Sequence, residues 1–149
     1  VVNEAEIRTF LEGAVNYFDV SARQPVAVGV PYLVTTGTPP VHDYTGIISV
    51  SGRRNGAVCF TAPRSMLMVL LMRMNEPDTS DANMRDLVGE VANTISGNAR
   101  RDFGKDFSIS VPSVVDANAG PLALPREMRP VVIPLNWRSH SARLIVCLS

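Results

Sequence analysis

The segment from Ala82 to Gly104, ANMRDLVGEVANTISGNARRDFG, constrains this chain more than any other stretch, because it is the longest run with one sustained period. At about 100° per residue, Met84, Leu87, Val88, Val91, Ala92, Ile95, Ala99 and Phe103 fall on one broad side, the apolar stripe of a core-facing helix. The opposite side is polar, and its midline runs through Asp86, Glu90, Asn93 and Gly97 at i, i+4, i+7 and i+11. A carboxylate, a carboxamide and a bare patch of backbone therefore follow one another along the solvent face. Glycine in a helix interior costs about 1 kcal/mol relative to alanine, yet Gly89 and Gly97 both occur here. Gly97, on the side of Glu90 and Asn93, leaves room for another surface to come close.

Such a helix needs a core to lie on, and 149 residues with 46% hydrophobic content suit a single domain, residues 1–149, with one sizeable core. Fourteen basic residues balance fourteen acidic ones, which points away from nucleic acid or an anionic membrane as partner. Cys59 and Cys147 each lie in an apolar run that reads as a strand, so both are expected as buried free thiols in a reducing, cytoplasmic compartment. The longest apolar run, Met66 to Met72, is too short to span a bilayer, and no charged-then-apolar leader opens the chain. The first residue is Val1 rather than methionine, which predicts an upstream piece that has been removed.

In chain order, helical spacing of Ile7, Phe10, Leu11, Ala14, Val15 and Phe18 predicts a helix over Glu4–Phe18, with Glu6, Glu12 and Asn16 outward. Val26–Thr36 reads as a strand, bulged or at an edge because of Gly29 and Pro31. Thr45–Ser51 and Ala57–Thr61 read as a hairpin about Asn55-Gly56. A helix follows over Pro63–Met74, apolar almost all round, which requires cover on more than one side or a subunit contact. After the break at Glu76–Ser80, Asp81 or Asn83 caps the long helix and Gly104 closes it. Ser108–Val115 returns to strand, and Asn118–Pro130 reads as a loop with room for a short hairpin. A terminal hairpin of Val131–Trp137 and Ala142–Leu148 turns at Arg138–Ser141, with Pro134 placing its first strand at an edge or making it irregular. This pattern predicts an α+β domain: a mainly antiparallel sheet packed with three helices.

Most catalytic constellations are absent. His42 and His140 fall in expected loops without ligand-type neighbours at metal spacing and read as solvated turn residues. There is no phosphate-binding loop, no Gly-x-Ser-x-Gly elbow and no paired CxxC. Ser96 and Ser113 have no base nearby in sequence, and Met66, Met68, Met72 and Met74 read as packing. What remains is the polar face of the long helix.

Those residues carry a resemblance. Asp86-Leu-Val-Gly89-Glu90-Val-Ala-Asn93-Thr-Ile-Ser-Gly97-Asn98-Ala resembles the signature helix of the CheC/CheX/FliY phosphatases of bacterial chemotaxis, whose motif is Asp or Ser, then ExxN, then a proline about a score of residues later. The helix before GxPYL, the YTGIISVSG and NGAVCF strands and SISVPSVV follow the order expected of the CheX branch. Two departures are visible. Only 18 residues separate Asn93 from Pro112, and the first helix carries Glu12-Gly-Ala-Val-Asn16, one residue too many for a second ExxN.

The resemblance implies a CheC-like fold and one active face per chain. Its substrate would be the phosphoaspartate of a CheY-like response regulator that carries its own Mg²⁺ and lysine, with no cofactor bound by this chain. Asn93 and Glu90 would be catalytic, Asn93 orienting a water and Glu90 pairing with the regulator's lysine; Asp86, Gly97 and Pro112 would meet the partner. The family likeness and the apolar surplus of Pro63–Met74 further imply a homodimer. The competing expectation is a non-catalytic module that docks a regulator or a flagellar switch component without hydrolysis. A third is a small-molecule binder using the connector Asn118–Pro130.

Overall fold

The computed structural model describes every residue except Arg126. Three α-helices, α1 (Glu4–Tyr17), α2 (Arg64–Arg73) and α3 (Asp81–Phe103), accompany eight strands. The strands are β1 (Ala27–Val28), β2 (Tyr32–Leu33), β3 (Tyr44–Gly52), β4 (Gly56–Ala62), β5 (Phe107–Ile109), β6 (Ser113–Asp116), β7 (Val131–Trp137) and β8 (His140–Leu148). They form one antiparallel sheet in the order β1-β7-β8-β4-β3-β5, with β2 also on β7 and β6 also on β3. This is the α+β arrangement that the pattern of elements predicts.

The β3–β4 hairpin forms where Asn55-Gly56 predicts it, with Val50 opposite Gly56 and Tyr44 opposite Ala62. The helices cover one face of the sheet, burying Ile48, Val58, Phe60, Ile133, Leu144 and Val146 beneath them. On the other face Ala57, Cys59, Val132 and Ile145 lie under Leu122, with Val34, Val41 and Leu124 packed around them. Because both faces are covered, β4 and β8 are nearly continuous apolar runs rather than alternating ones. Cys59 and Cys147 are both free and buried, and burial pushes their thiols above the ordinary range, Cys59 to about 12.

Several local expectations are corrected by long-range contacts. The expected strand Val26–Thr36 is two short pieces, β1 and β2, both on β7 at the sheet edge. Pro134 does not place β7 at an edge, since β7 lies between β8 and the β1/β2 pair. Trp137 and His140 close the two-residue turn, with Arg138 left-handed at φ 56°, so by strand alternation the nitrogen of Pro134 points away from β8. It meets the gap between β1 and β2, where only its carbonyl is used, accepting from the Gly29 N–H at 2.9 Å.

Ser108–Val115 likewise divides into β5 and β6, both on β3. Ser80, rather than Asp81 or Asn83, caps α3, its hydroxyl accepting from the Asn83 N–H at 3.3 Å. Glu6 is not outward but 7% exposed: it completes a capping box with Asn3 and receives Arg54 on both carboxylate oxygens at 2.8 and 2.7 Å. Past α1 the chain continues as a π-turn over Phe18–Ala22. Trp137 packs on Phe18 at 5.9 Å between ring centroids and donates its indole N–H to Gln24 O at 3.1 Å. The connector Asn118–Pro130 starts inside a short 3₁₀ turn, Ala117–Ala119, and includes Arg126, which is outside the described residues.

Neither histidine is a free turn residue, since both are half-buried. His140 stacks on Trp137, while His42 donates its backbone N–H to Thr61 Oγ1 at 2.8 Å and receives Arg143 on Nε2 at 3.1 Å. An arginine can only donate, so the His42 ring is the neutral acceptor here. Burial and then Arg143 lower its pKa from the ordinary 6.5, opposed by Asp43.

A Cβ on Gly46 would lie 2.4 Å from the backbone oxygen of Val88, so Gly46→Ala is expected to destabilise the protein by about 3 kcal/mol in urea unfolding. For His42 the unfolded chain holds the proton more readily than the folded one, so its contribution is complete above pH 6.5 and is lost as the pH falls below that value through the lowered folded pKa. The urea midpoint should therefore drop more for the parent than for His42→Gln between about pH 7.5 and about pH 5.5.

Candidate active site on the third helix

Helix α3 is anchored along its length by its buried stripe, Met84, Leu87, Val88, Val91, Ala92, Ile95 and Ala99. Its first turn is held by Tyr44, whose hydroxyl donates to Asp81 Oδ1 at 2.9 Å, and by an ion pair of Asp81 with Arg64. One turn later Arg85 pairs with Asp116 at 3.2 Å and donates to Val114 O at 3.4 Å, tying the helix to β6. The last turn carries Arg100 and Arg101, favourable near the negative helix end, and Gly104 closes it at φ 85°.

With one side fixed, the other is presented to solvent. Asp86, Glu90 and Asn93 are all exposed, as the helical period predicts, and Gly97 is half-buried. Among the described residues, the hydrogen-bonding and ion-pairing side chains of α3 are Asp81, Asn83, Arg85, Asn98, Arg100 and Arg101. Asp86, Glu90 and Asn93 are left unengaged, so a carboxylate and a carboxamide three residues apart are available to a partner.

Pro112 lies in the interruption between β5 and β6 and is exposed. It is brought against α3 despite the short interval from Asn93. A Cβ on Gly89 would lie 3.4 Å from Pro112 Cβ and 3.1 Å from Val114 Cγ2, so the bare backbone before Glu90 admits the proline. Val111, 84% exposed, adds an apolar rim beside it. Gly97 has nothing within 4 Å of its would-be Cβ. It opens on a groove of about 340 Å³ lined with Arg100, Arg101, Gly104, Lys105 and Ile109. The face is thus acidic at Asp86 and Glu90 and basic beyond Gly97.

Helix α1 packs antiparallel beside α3. Phe10 meets Phe103 at 5.7 Å between centroids, and a Cβ on Gly13 would lie 3.2 Å from Ile95 O. Continuing that register sets Tyr17, one turn after Gly13, level with the turn that holds Glu90 and Asn93. Tyr17 lies outside the motif of α3, and its i+7 spacing from Phe10 places it on the buried stripe of α1. Glu12 and Asn16 are exposed and line a separate cleft of about 240 Å³ with Asn98 and Arg101.

The family model described as chemotaxis phosphatase CheX matches residues 44–136, more than half of the chain. The chain belongs to the CheX family. The matched span contains all of α3 and Pro112 and excludes α1. No curated protein sequence gives a significant match.

Solved structures repeat the whole fold. A CheC-like superfamily protein from Shewanella sp. PV-4 superposes with a TM-score of 0.85 at 24% identity, over 99% of both chains. A putative chemotaxis protein from Desulfovibrio vulgaris Hildenborough gives 0.84 at 25% identity, over 100% of this chain and 99% of that one. The CheX–CheY–BeF₃–Mg²⁺ complex from Borrelia burgdorferi gives 0.74 at 16% identity, over 99% of both chains. The CheX-like fold expected from the sequence is therefore the fold of this chain.

Proposed function

We propose that this CheX-family protein hydrolyses the phosphoaspartate of a CheY-like response regulator, using the outward face of α3. The observation that carries the reading is the exposed, unengaged pair Glu90 and Asn93 on a helix whose other side is immobilised in the core. Membership of a family described as chemotaxis phosphatases supports the reaction class, and the B. burgdorferi complex supports the class of partner.

In this reading the Asn93 carboxamide accepts a hydrogen bond from the attacking water and holds it in line with the phosphorus. Being neutral, it avoids repulsion with the phosphoryl oxygens. The water oxygen bonds to phosphorus while the bond to the aspartate oxygen breaks, and the aspartate carboxylate leaves with the electron pair. The water's protons pass to the phosphate product and solvent. Asn93 is a positioner rather than a base, comparable to the glutamine that orients water in GTPases.

Glu90 is unsuited to face a phosphoryl dianion but suited to the regulator's lysine, which sets the register of docking. Gly97 admits the partner's surface, Pro112 supports the approach next to Glu90, and Asp86 extends the acidic rim. Mg²⁺ comes with the regulator. Among the described residues no three His, Cys, Asp or Glu side chains are grouped to hold a metal.

The reading includes a pairing of two copies, supported by the apolar surface that α2 leaves open at Met68 and Met72, the latter 62% exposed. Light scattering at micromolar concentration is expected to give about twice the chain mass, and a strict monomer would rule the pairing out.

The mechanism is tested by separating the two residues. Asn93→Ala should still bind a phosphorylated regulator while turnover falls about 100-fold, about 3 kcal/mol in the barrier. Glu90→Ala should weaken docking as well as turnover, and removing the regulator's lysine in that background should add little. If both variants stay within about twofold of the parent in regulator dephosphorylation, the face is not catalytic and docking without hydrolysis becomes the better account.

A further inference from the structure

We infer that Tyr17 is a positioning residue for Glu90: its hydroxyl donates to the Glu90 carboxylate when a partner occupies the face, and fixes that carboxylate for the partner's ammonium group. The inference rests on the reading of Glu90 given above and adds a residue outside the α3 motif.

Tyr17 is only 3% exposed, and its hydroxyl has no hydrogen-bond partner among the described residues. A buried hydroxyl normally finds a partner, because leaving it unpaired forfeits its hydration without return. Phenylalanine would fill the same space, and α1 with its π-turn uses phenylalanine at positions 10 and 18, on either side of Tyr17. Packing alone therefore does not account for the oxygen.

The antiparallel register of α1 on α3 places the turn that carries Tyr17. Phe10 sits at Phe103 and Gly13 at Ile95 and Asn98, and continuing that register carries the next turn of α1 toward the turn of α3 that holds Glu90. Burial first, and then the charge of Glu90, raise the pKa of the phenol above its ordinary value. The carboxylate is thus within electrostatic reach, and the buried phenol stays protonated as a donor. Glu90 itself is exposed and unengaged, so a side-chain rotation is open to it at little cost.

Docking changes the balance. A partner laid on the face removes water from Glu90, whose carboxylate then requires protein donors in its place. The partner's ammonium supplies one and Tyr17 the other, as a charge-assisted bond from inside the core. The donor is held rigidly between α1 and α3, so the carboxylate is aimed rather than merely neutralised.

The test uses the full chain with Tyr17→Phe, alone and combined with Glu90→Ala. Binding is measured to a CheY-like response regulator loaded with beryllofluoride and Mg²⁺, together with KM and kcat for dephosphorylation and the urea midpoint. Tyr17→Phe is expected to weaken binding and raise KM about tenfold with kcat within about twofold, at an unchanged or higher urea midpoint. In the Glu90→Ala background it should change nothing further.

The inference is overturned if Tyr17→Phe binds as the parent does. It is equally overturned if the loss persists without Glu90, or if the urea midpoint falls, because the hydroxyl then serves packing. A parent that neither binds nor dephosphorylates any regulator would remove the functional reading and this inference together. An active parent with an unaffected Tyr17→Phe removes only the role of Tyr17.

Discussion

The arrangement of this protein depends on how closely α3 lies on the sheet. At Gly46 the strand has no side chain, and the helix backbone at Val88 occupies the space a methyl group would take. That contact sets both the depth and the rotation of a 23-residue helix. Once Val88 is down on β3, the residues two and five positions on, Glu90 and Asn93, are turned outward by the helical period alone. The outward pair is therefore a by-product of core packing, held by a helix fixed in the core rather than by a loop.

The same helix explains why part of the structure is legible in the sequence. Its stripe, its polar midline and its closing glycine are local signals, read within a few residues of one another, and so is the Asn55-Gly56 turn. The misread positions are those whose environment is supplied from far along the chain. Pro134 is tolerated inside the sheet only because β1 and β2 leave a gap opposite its nitrogen, about a hundred residues away in sequence. Glu6 is buried because Arg54 reaches it from the β3–β4 turn, and nothing near Glu6 announces that partner.

The candidate site divides along the same line. Asp86, Glu90, Asn93 and Gly97 share one helix, so their grouping follows from spacing. Pro112 reaches them only because the strand after α3 breaks into β5 and β6 on one neighbour, and because Gly89 is bare where the proline arrives. Tyr17 comes from a different helix and depends on the antiparallel register set at Phe10 and Gly13. Periodicity marks it as an interior residue but cannot say which turn of α3 it meets.

The terminal hairpin carries a further consequence. Trp137 is the chain's single tryptophan, and it is enclosed completely, with Phe18 against its ring and Gln24 on its indole nitrogen. The molecule thus contains one indole that can be excited apart from its tyrosines, built into the junction between the end of the first helix and the sheet. Its emission reports whether that junction is assembled.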